Sequence, residues 1–142
     1  MNSEMLIRDY KPEDYPQVEA LWKETDIYTV DRGDTPQIIL RCNDAGGRFL
    51  VLEDSSDGSV AGTSWMSWDG RRVFLHHFAI RPSLQSRGYG RSLALESLAF
   101  ARKLNCPMKL EVHQDNTAAV KLYRNLGFQV FEDYDTYMII DP

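Results

Sequence analysis

Between an apolar run that ends at Pro82 and a helical pattern that opens at Arg91 lies the stretch Gln85-Ser86-Arg87-Gly88-Tyr89-Gly90. It limits what this chain can fold into more than any other stretch. Val73-Phe74-Leu75-His76-His77-Phe78-Ala79-Ile80 reads as a buried strand, and Pro82, with no N–H to donate, stops its ladder. Leu93, Ala94, Leu98, Ala101 and Leu104 recur at helical spacing over 91–104, so the glycines fall where a strand hands over to a helix N-terminus. Unpaired N–H groups and the positive end of the helix dipole converge there, and glycine lets backbone approach a phosphate closely. The spacing is Gln-x-x-Gly-x-Gly. It is not the six-residue dinucleotide fingerprint, and no Gly-Lys-Ser/Thr follows as a nucleoside-triphosphate loop requires.

A chain of 142 residues suits one domain, 1–142, with a single continuous core. Its 43% hydrophobic and 26% charged residues are those of an ordinary globular protein. No long apolar run and no basic-then-apolar leader is present, which predicts a cytoplasmic protein with no membrane partner. Cys42 and Cys106 form no C-x-x-C pair, so no metal is expected and both read as small core fillers. The net charge of −5 argues against a nucleic-acid partner and suits a cationic amine. A polyanion would then need a local basic patch, which Arg81, Arg87 and Arg91 are placed to supply beside the glycine loop.

Taken in order, Met5-Leu6-Ile7-Arg8-Asp9-Tyr10 predicts a first strand, and Pro12-Glu13-Asp14 opens a helix whose apolar face is Val18, Leu21 and Trp22. Residues 25–36, with Tyr28, Asp31, Arg32 and Asp34, are polar and unpatterned, and a short helix follows from Pro36. Two Asp-Gly turns, Asp57-Gly58 and Asp69-Gly70, join strands over 48–54, 59–68 and 73–80 into an antiparallel meander, with Trp65 and Trp68 on opposite faces. Later strands are predicted at 108–113, 128–131 and 137–140, with a helix from Thr117 capped by Asn116 and stopped by Gly127. His76 and His77, adjacent in a strand, are expected on opposite faces and read as structural. The fold class is therefore α/β in the broad sense (α+β), with a mixed, mostly antiparallel sheet of about six to seven strands and about four helices.

On the helix after Asn116, Ala119 and Tyr123 share a face with the cap, at i+3 and i+7, while Leu122 and Leu126 point elsewhere toward the core. The tyrosine is then free of the hydrophobic stripe. The two patterns, Phe78-Ala79-Ile80-Arg81-Pro82 leading into Gln85-x-x-Gly88-x-Gly90-Arg91, and Asn116-x-x-Ala119-x-x-x-Tyr123 leading into Leu126-Gly127-Phe128, resemble those of the GNAT superfamily of N-acetyltransferases. The likeness runs from about Gly62 to the C-terminus. It implies acetyl-CoA as cosubstrate, with its pyrophosphate held by the amides of Gln85, Ser86, Arg87, Gly88, Tyr89, Gly90 and Arg91. It also implies that Phe78, Ala79, Ile80, Asn116 and Ala119 line the acyl-CoA site and that Tyr123 stands beside the thioester sulfur.

Acetyl transfer to an amine requires a neutral amine, a stabilised oxyanion and a protonated leaving thiolate. Main-chain N–H groups over 78–80 suit the oxyanion, and Tyr123 suits the sulfur. Glu111 is the leading base. The run Leu110-Glu111-Val112-His113 resembles a segment of the ribosomal-protein N-terminal alanine acetyltransferases, where a strand glutamate accompanies the helix tyrosine. His113 departs from that subgroup, which tends to carry arginine there, so the acceptor stays open between a small-molecule and a peptide amine. No nucleophile–base pair is visible, so direct transfer in a ternary complex is expected. The alternatives are a non-catalytic acyl-CoA-binding module or transfer of another acyl group, and the subunit is a monomer or a homodimer.

Overall fold

The computed structural model describes residues 4–27 and 33–142. The chain packs as two units, Met1–Glu111 and Val112–Pro142. In the first, five strands stand in chain order: β1 (Met5–Asp9), β2 (Arg48–Asp54), β3 (Ser59–Trp68), β4 (Val73–Ile80) and β5 (Met108–Leu110). The first four pair antiparallel, and β5 returns parallel to β4 with Val73, Phe74 and Leu75 against Met108, Lys109 and Leu110. Helices α1 (Tyr15–Glu24), α2 (Pro36–Asp44) and α3 (Tyr89–Lys103) complete this unit. The expected meander is present, with Gly58 and Gly70 at positive φ in its two turns.

Strand alternation divides the core in two. Phe49, Val51, Val60 and Trp65 pack with Val18, Leu21 and Trp22 of α1 and Ile39 of α2. Leu50, Leu52, Ala61 and Met66 pack with Leu93 and Ala101 of α3. Trp68 lies against this second cluster, so the two tryptophans do face opposite sides as their odd spacing requires. Trp22, fully buried, donates its indole N–H to Thr63 Oγ1 at 2.9 Å, so its own polar group is satisfied inside the first cluster. Cys42 and Cys106 are half-buried free thiols packed at the margins of the two clusters.

At the edge of the sheet, Arg8 of β1 grips Asp14 through both oxygens at 2.8 and 2.9 Å and reaches Glu53 at 3.0 Å. Burial disfavours the Asp14 anion, but the Arg8 guanidinium and the Lys11 N–H outweigh it and hold the carboxyl below the usual range. A lowered carboxylate pKa stabilises the fold above about pH 4, and that contribution disappears as pH falls through the lowered value. Arg8→Ala leaves a carboxylate that is only 8% exposed without its cation. It should cost about 3 kcal/mol in urea denaturation at pH 7, with a smaller difference from wild type in acid.

The second unit holds α4 (Thr117–Asn125), capped as expected by the Asn116 side chain, which accepts from Ala119 N–H at 3.3 Å. Gly127 at φ 100° follows its end. Here the structure departs from the expected six to seven strands. Segments 128–131 and 137–140 join no ladder among the described residues, and Phe131, Tyr137 and Ile139 are 73%, 92% and 78% exposed. Alternation and β-branching report that a segment can occupy a sheet, and only a partner edge makes it a strand. For the same reason the strand expected over 108–113 ends at Leu110. Neither Glu111 nor His113 belongs to it, and both side chains meet solvent.

Candidate active site

The glycine stretch forms its site as a connection inside the first unit. A 3₁₀ turn, Pro82–Leu84, leaves β4, and the Gln85 side chain donates back to Ile80 O at 3.0 Å, tying the loop to the strand end. Ser86 at φ 63° and Gly88 at φ 89° are both left-handed, with Arg87 between them outside that region. Such alternation turns successive N–H groups toward one side and is the usual geometry of an anion cradle. Gly88 caps α3, which starts two residues before the expected Arg91. The first helical turn closes with Ser92 N–H on Gly88 O at 3.1 Å. The N–H groups of Tyr89, Gly90 and Arg91 therefore precede the intrahelical ladder and point out of the helix at its positive end. A Cβ built on Gly88 would meet no atom within 4 Å, so what glycine supplies here is its φ and not space.

Arg87 and Arg91 are exposed beside this cradle, but Arg81 is not part of it. Its guanidinium turns back to Ser59 Oγ at 3.0 Å and Val60 O at 3.2 Å, while its N–H bonds Ala61 O, so it fastens the end of β4 to the start of β3. Its place in the sequence gave no sign of this, because those acceptors lie more than 20 residues away.

Earlier along β4 the sheet opens. The β4–β5 ladder stops at Leu75 and Leu110, while β4 continues to Ile80 paired with β3 alone among strands. Because Arg81 N–H bonds β3, the alternation of antiparallel amides sends those of Ala79 the same way and those of Phe78 and Ile80 toward the β5 side. Glu111 follows Leu110 directly, at the mouth of this divergence. The outward-turned strand amides of Phe78 and Ile80 and the helix-end cradle thus belong to one continuous β4–loop–α3 edge, while Glu111 follows the neighbouring strand β5.

On the opposite margin β4 carries a bulge. Ser64 pairs with Phe78 but Met66 pairs with Leu75, so His76 and His77 together oppose Trp65. The extra residue reverses the alternation. Val73 and Leu75 face α3, yet after the bulge Ile80 faces α3 and Ala79 faces α1. The two histidines are consequently not on opposite faces: both rings lie against Trp65, at 5.6 and 5.5 Å between centroids. His77 Nε2 lies 2.8 Å from Asp34 Oδ2, a carboxylate only 2% exposed. His77, which the sequence presents as structural and without a partner, thus has one. Forty-three residues separate the pair, and only the bulge brings the ring to that face. Of the polar segment 25–36, residues 28–32, including Tyr28, Asp31 and Arg32, lie outside the described residues.

In the second unit Tyr123 is the buried residue of α4, 7% exposed, with the Phe128 ring edge-on at 5.5 Å. Leu122 and Leu126, expected to be the core face, are only half-buried. Burial pushes the Tyr123 phenol up to about 12. Asn116 and Ala119 spend a side-chain oxygen and an N–H on each other as the cap.

Comparison with known proteins agrees with this architecture. The sequence matches the acetyltransferase (GNAT) family over residues 8–128, from β1 to just beyond α4. The chain belongs to that family. Its members draw on acetyl-CoA as the acyl donor, and acetyltransferase activity follows from membership. Among solved structures it resembles Ard1 from Thermoplasma volcanium (TM-score 0.76, 25% identity, 89% of this chain and 84% of that one). It also shares its fold with the aminoglycoside N-acetyltransferase AAC(6′)-Iy solved with CoA (TM-score 0.76, 20% identity, 98% and 97%). The PaiA N-acetyltransferase from Thermoplasma acidophilum, also solved with coenzyme A, is similar too (TM-score 0.77, 20% identity, 93% and 93%). No helix among the described residues is long and apolar enough to cross a membrane.

Proposed function

We propose that this GNAT protein is a single catalytic domain, 1–142, that transfers acetyl from acetyl-CoA to a primary amine by direct attack in a ternary complex. The observation that carries the reading is the β4–loop–α3 junction. Left-handed Ser86 and Gly88 and the open first turn of α3 offer several amide donors and a helix dipole to a pyrophosphate, flanked by Arg87 and Arg91. The strand amides turned toward the β4–β5 opening suit a thioester oxyanion. Glu111, at that opening, draws in the ammonium form of the substrate and takes its first proton. Tyr123, held protonated by burial, gives its hydrogen to the departing sulfur.

The acceptor class stays open within amines, and the relatives named above include an aminoglycoside N-acetyltransferase. The test is CoA release with acetyl-CoA and a panel comprising spermidine, kanamycin, free amino acids and a peptide with an N-terminal alanine. Turnover of one class above the hydrolysis background is the expected result. Tight acetyl-CoA binding with turnover of none would favour a non-catalytic acyl-CoA-binding module.

A further inference from the structure

We propose that the acceptor is the N-terminal amine of a polypeptide with acidic residues at its third and fifth positions, selected by a row of cations formed by Lys109 and Arg72 with Arg71 beside them. This rests on the transferase reading above, with Glu111 at the amine, and narrows its acceptor.

Met108 and Leu110 of β5 and Val73 and Leu75 of β4 pack with the α3 cluster, so alternation puts the register partners Phe74 and Lys109 on the other face of the sheet. That face is open over this part of β4 and β5. Phe74 is half-buried, His76 and Lys109 are exposed, and the Phe74 and His76 rings stack at 4.8 Å between centroids and 15° between planes. The Lys109 ammonium lies over the Phe74 ring, 5.5 Å from its centroid. His76 adds no charge to this platform. Its Nε2 is engaged by Ser67 Oγ at 2.6 Å, and loss of water around the ring and then the neighbouring imidazole push it down to about 4. Arg71 and Arg72, both exposed, continue from the platform into the turn before β4.

Among the described residues the side chains of Arg71, Arg72 and Lys109 pair with no carboxylate, in contrast to Arg8 and Arg48. Asp69, the acid of the same turn, is turned to the main chain, where its Oδ1 accepts from Arg71 N–H at 2.8 Å and Arg72 N–H at 2.7 Å. Behind the row Arg102 and Lys103 end α3. The bonds from Cys106 N–H to Ala101 O and from Val73 N–H to Pro107 O hold that helix end beside the start of β4. Arg102 and Lys103 answer the negative end of a helix dipole, but Arg71, Arg72 and Lys109 have no helix end to answer. A chain of net charge −5 thus concentrates five cations where β3 turns into β4 and α3 hands over to β5, and such a locus attracts anions.

Spacing sets the class of acceptor. Lys109 precedes Glu111 by two residues, and Arg72 precedes Phe74, the partner of Lys109, by two more. At about 3.3 Å per residue the cations stand roughly 7 and 13 Å from the carboxylate that holds the amine. An extended peptide covers those spans in two and four residues, and its first, third and fifth positions face the same side. Acids at the third and fifth positions therefore meet Lys109 and Arg72 while the amine is at Glu111. A free amino acid is too short to make both contacts, and a polyamine or aminoglycoside carries further ammonium groups that the row repels. A peptide α-amine also gives up its proton at about 8, against about 10.4 for a lysine side chain, which suits an exposed carboxylate as the base.

The test compares three alanine-first peptides, alike except for Glu, Gln or Lys at positions three and five, with spermidine and kanamycin as acceptors. The Glu peptide should show a KM about 10-fold below that of the Lys peptide, with the Gln peptide between them, and about 0.5 M salt should remove the difference. Lys109→Glu combined with Arg72→Glu should invert the order, which a packing role would not do. Each single reversal should give part of the shift, so the test holds even if the double variant does not fold. KM values equal within about twofold, a Glu preference that survives reversal, or faster turnover of spermidine or kanamycin than of the Glu peptide would each overturn the proposal and leave the transferase reading standing. A dimer that the reversal dissociates, with no peptide preference, would assign this face to a second copy and overturn it as well. A wild-type protein that acetylates no amine overturns the transferase reading. Anisotropy of labelled peptides on the acetyl-CoA-loaded protein then tests the row by itself: tighter binding of the Glu peptide, inverted by reversal, supports it, and equal binding of Glu and Lys peptides overturns it.

Discussion

Gly90→Asp should abolish measurable acetyl-CoA binding in a protein that still folds. Gly90 is the second residue of α3, in the turn whose N–H groups precede the ladder, so the substitution puts a carboxylate on one of the proposed phosphate-donor residues. A carboxylate is not foreign to the helix itself. Acids in a first helical turn are favoured by the dipole, and the substitution also relieves a glycine of its helical cost. The variant is therefore expected to melt at or slightly above the wild-type temperature while its carboxylate occupies the cradle in place of pyrophosphate. Loss of two hydrogen-bonded phosphate contacts together with the added like charge amounts to at least about 3 kcal/mol, or more than 10²-fold in Kd. Calorimetric titration of acetyl-CoA reads this directly, and the loss should be smaller at high salt, where the repulsion is screened. A folded Gly90→Asp with wild-type affinity would remove the loop from the binding site. Gly88→Ala is the weaker probe, because with open space around its Cβ it acts only by straining φ 89°.

The parts of this site that could be read in the sequence are those whose geometry is local. Ser86 to Arg91 is a strand–turn–helix junction, and both its glycines and the apolar spacing of α3 lie within a few residues of one another. The two Asp-Gly turns likewise fixed the meander because each turn is built from adjacent residues, with Asp69 Oδ1 accepting from Arg71 and Arg72. What escaped depends on register. A single bulge opposite Trp65 moves His77 to the other face, and alternation counted from Val73 cannot see it, since the extra residue is defined only by the partner strand. Arg81 escaped for a related reason: proximity in sequence suggested the loop, but its acceptors are on β3. Glu111 is expected inside a strand over 108–113, yet the strand stops at Leu110 and the side chain is exposed.

Tyr123→Phe should reduce kcat by about 10²- to 10⁴-fold while acetyl-CoA affinity stays within about twofold, because the change deletes a proton donor and keeps the ring that meets Phe128. The phenol is suited to donation by its environment. Burial disfavours the phenolate and holds the group at about 12, so the hydrogen is present at every physiological pH and is available to the thiolate of the proposed transfer. The same shift predicts a stability effect of definite sign. The folded value lies above the unfolded value of about 10, so the tyrosine stabilises the fold below about pH 10, and that contribution is lost as pH rises through 12. Wild type should accordingly lose resistance to urea more steeply than Tyr123→Phe between pH 10 and 12, whereas near neutrality the two should differ by about 1 kcal/mol or less. These readouts separate the possible roles. A packing residue would show the alkaline difference with kcat intact, and that result would assign protonation of sulfur to water. A catalytic acid shows both, and pre-steady-state mixing should then place the defect in the acetyl-transfer step, with the rate of acetyl-CoA binding unchanged.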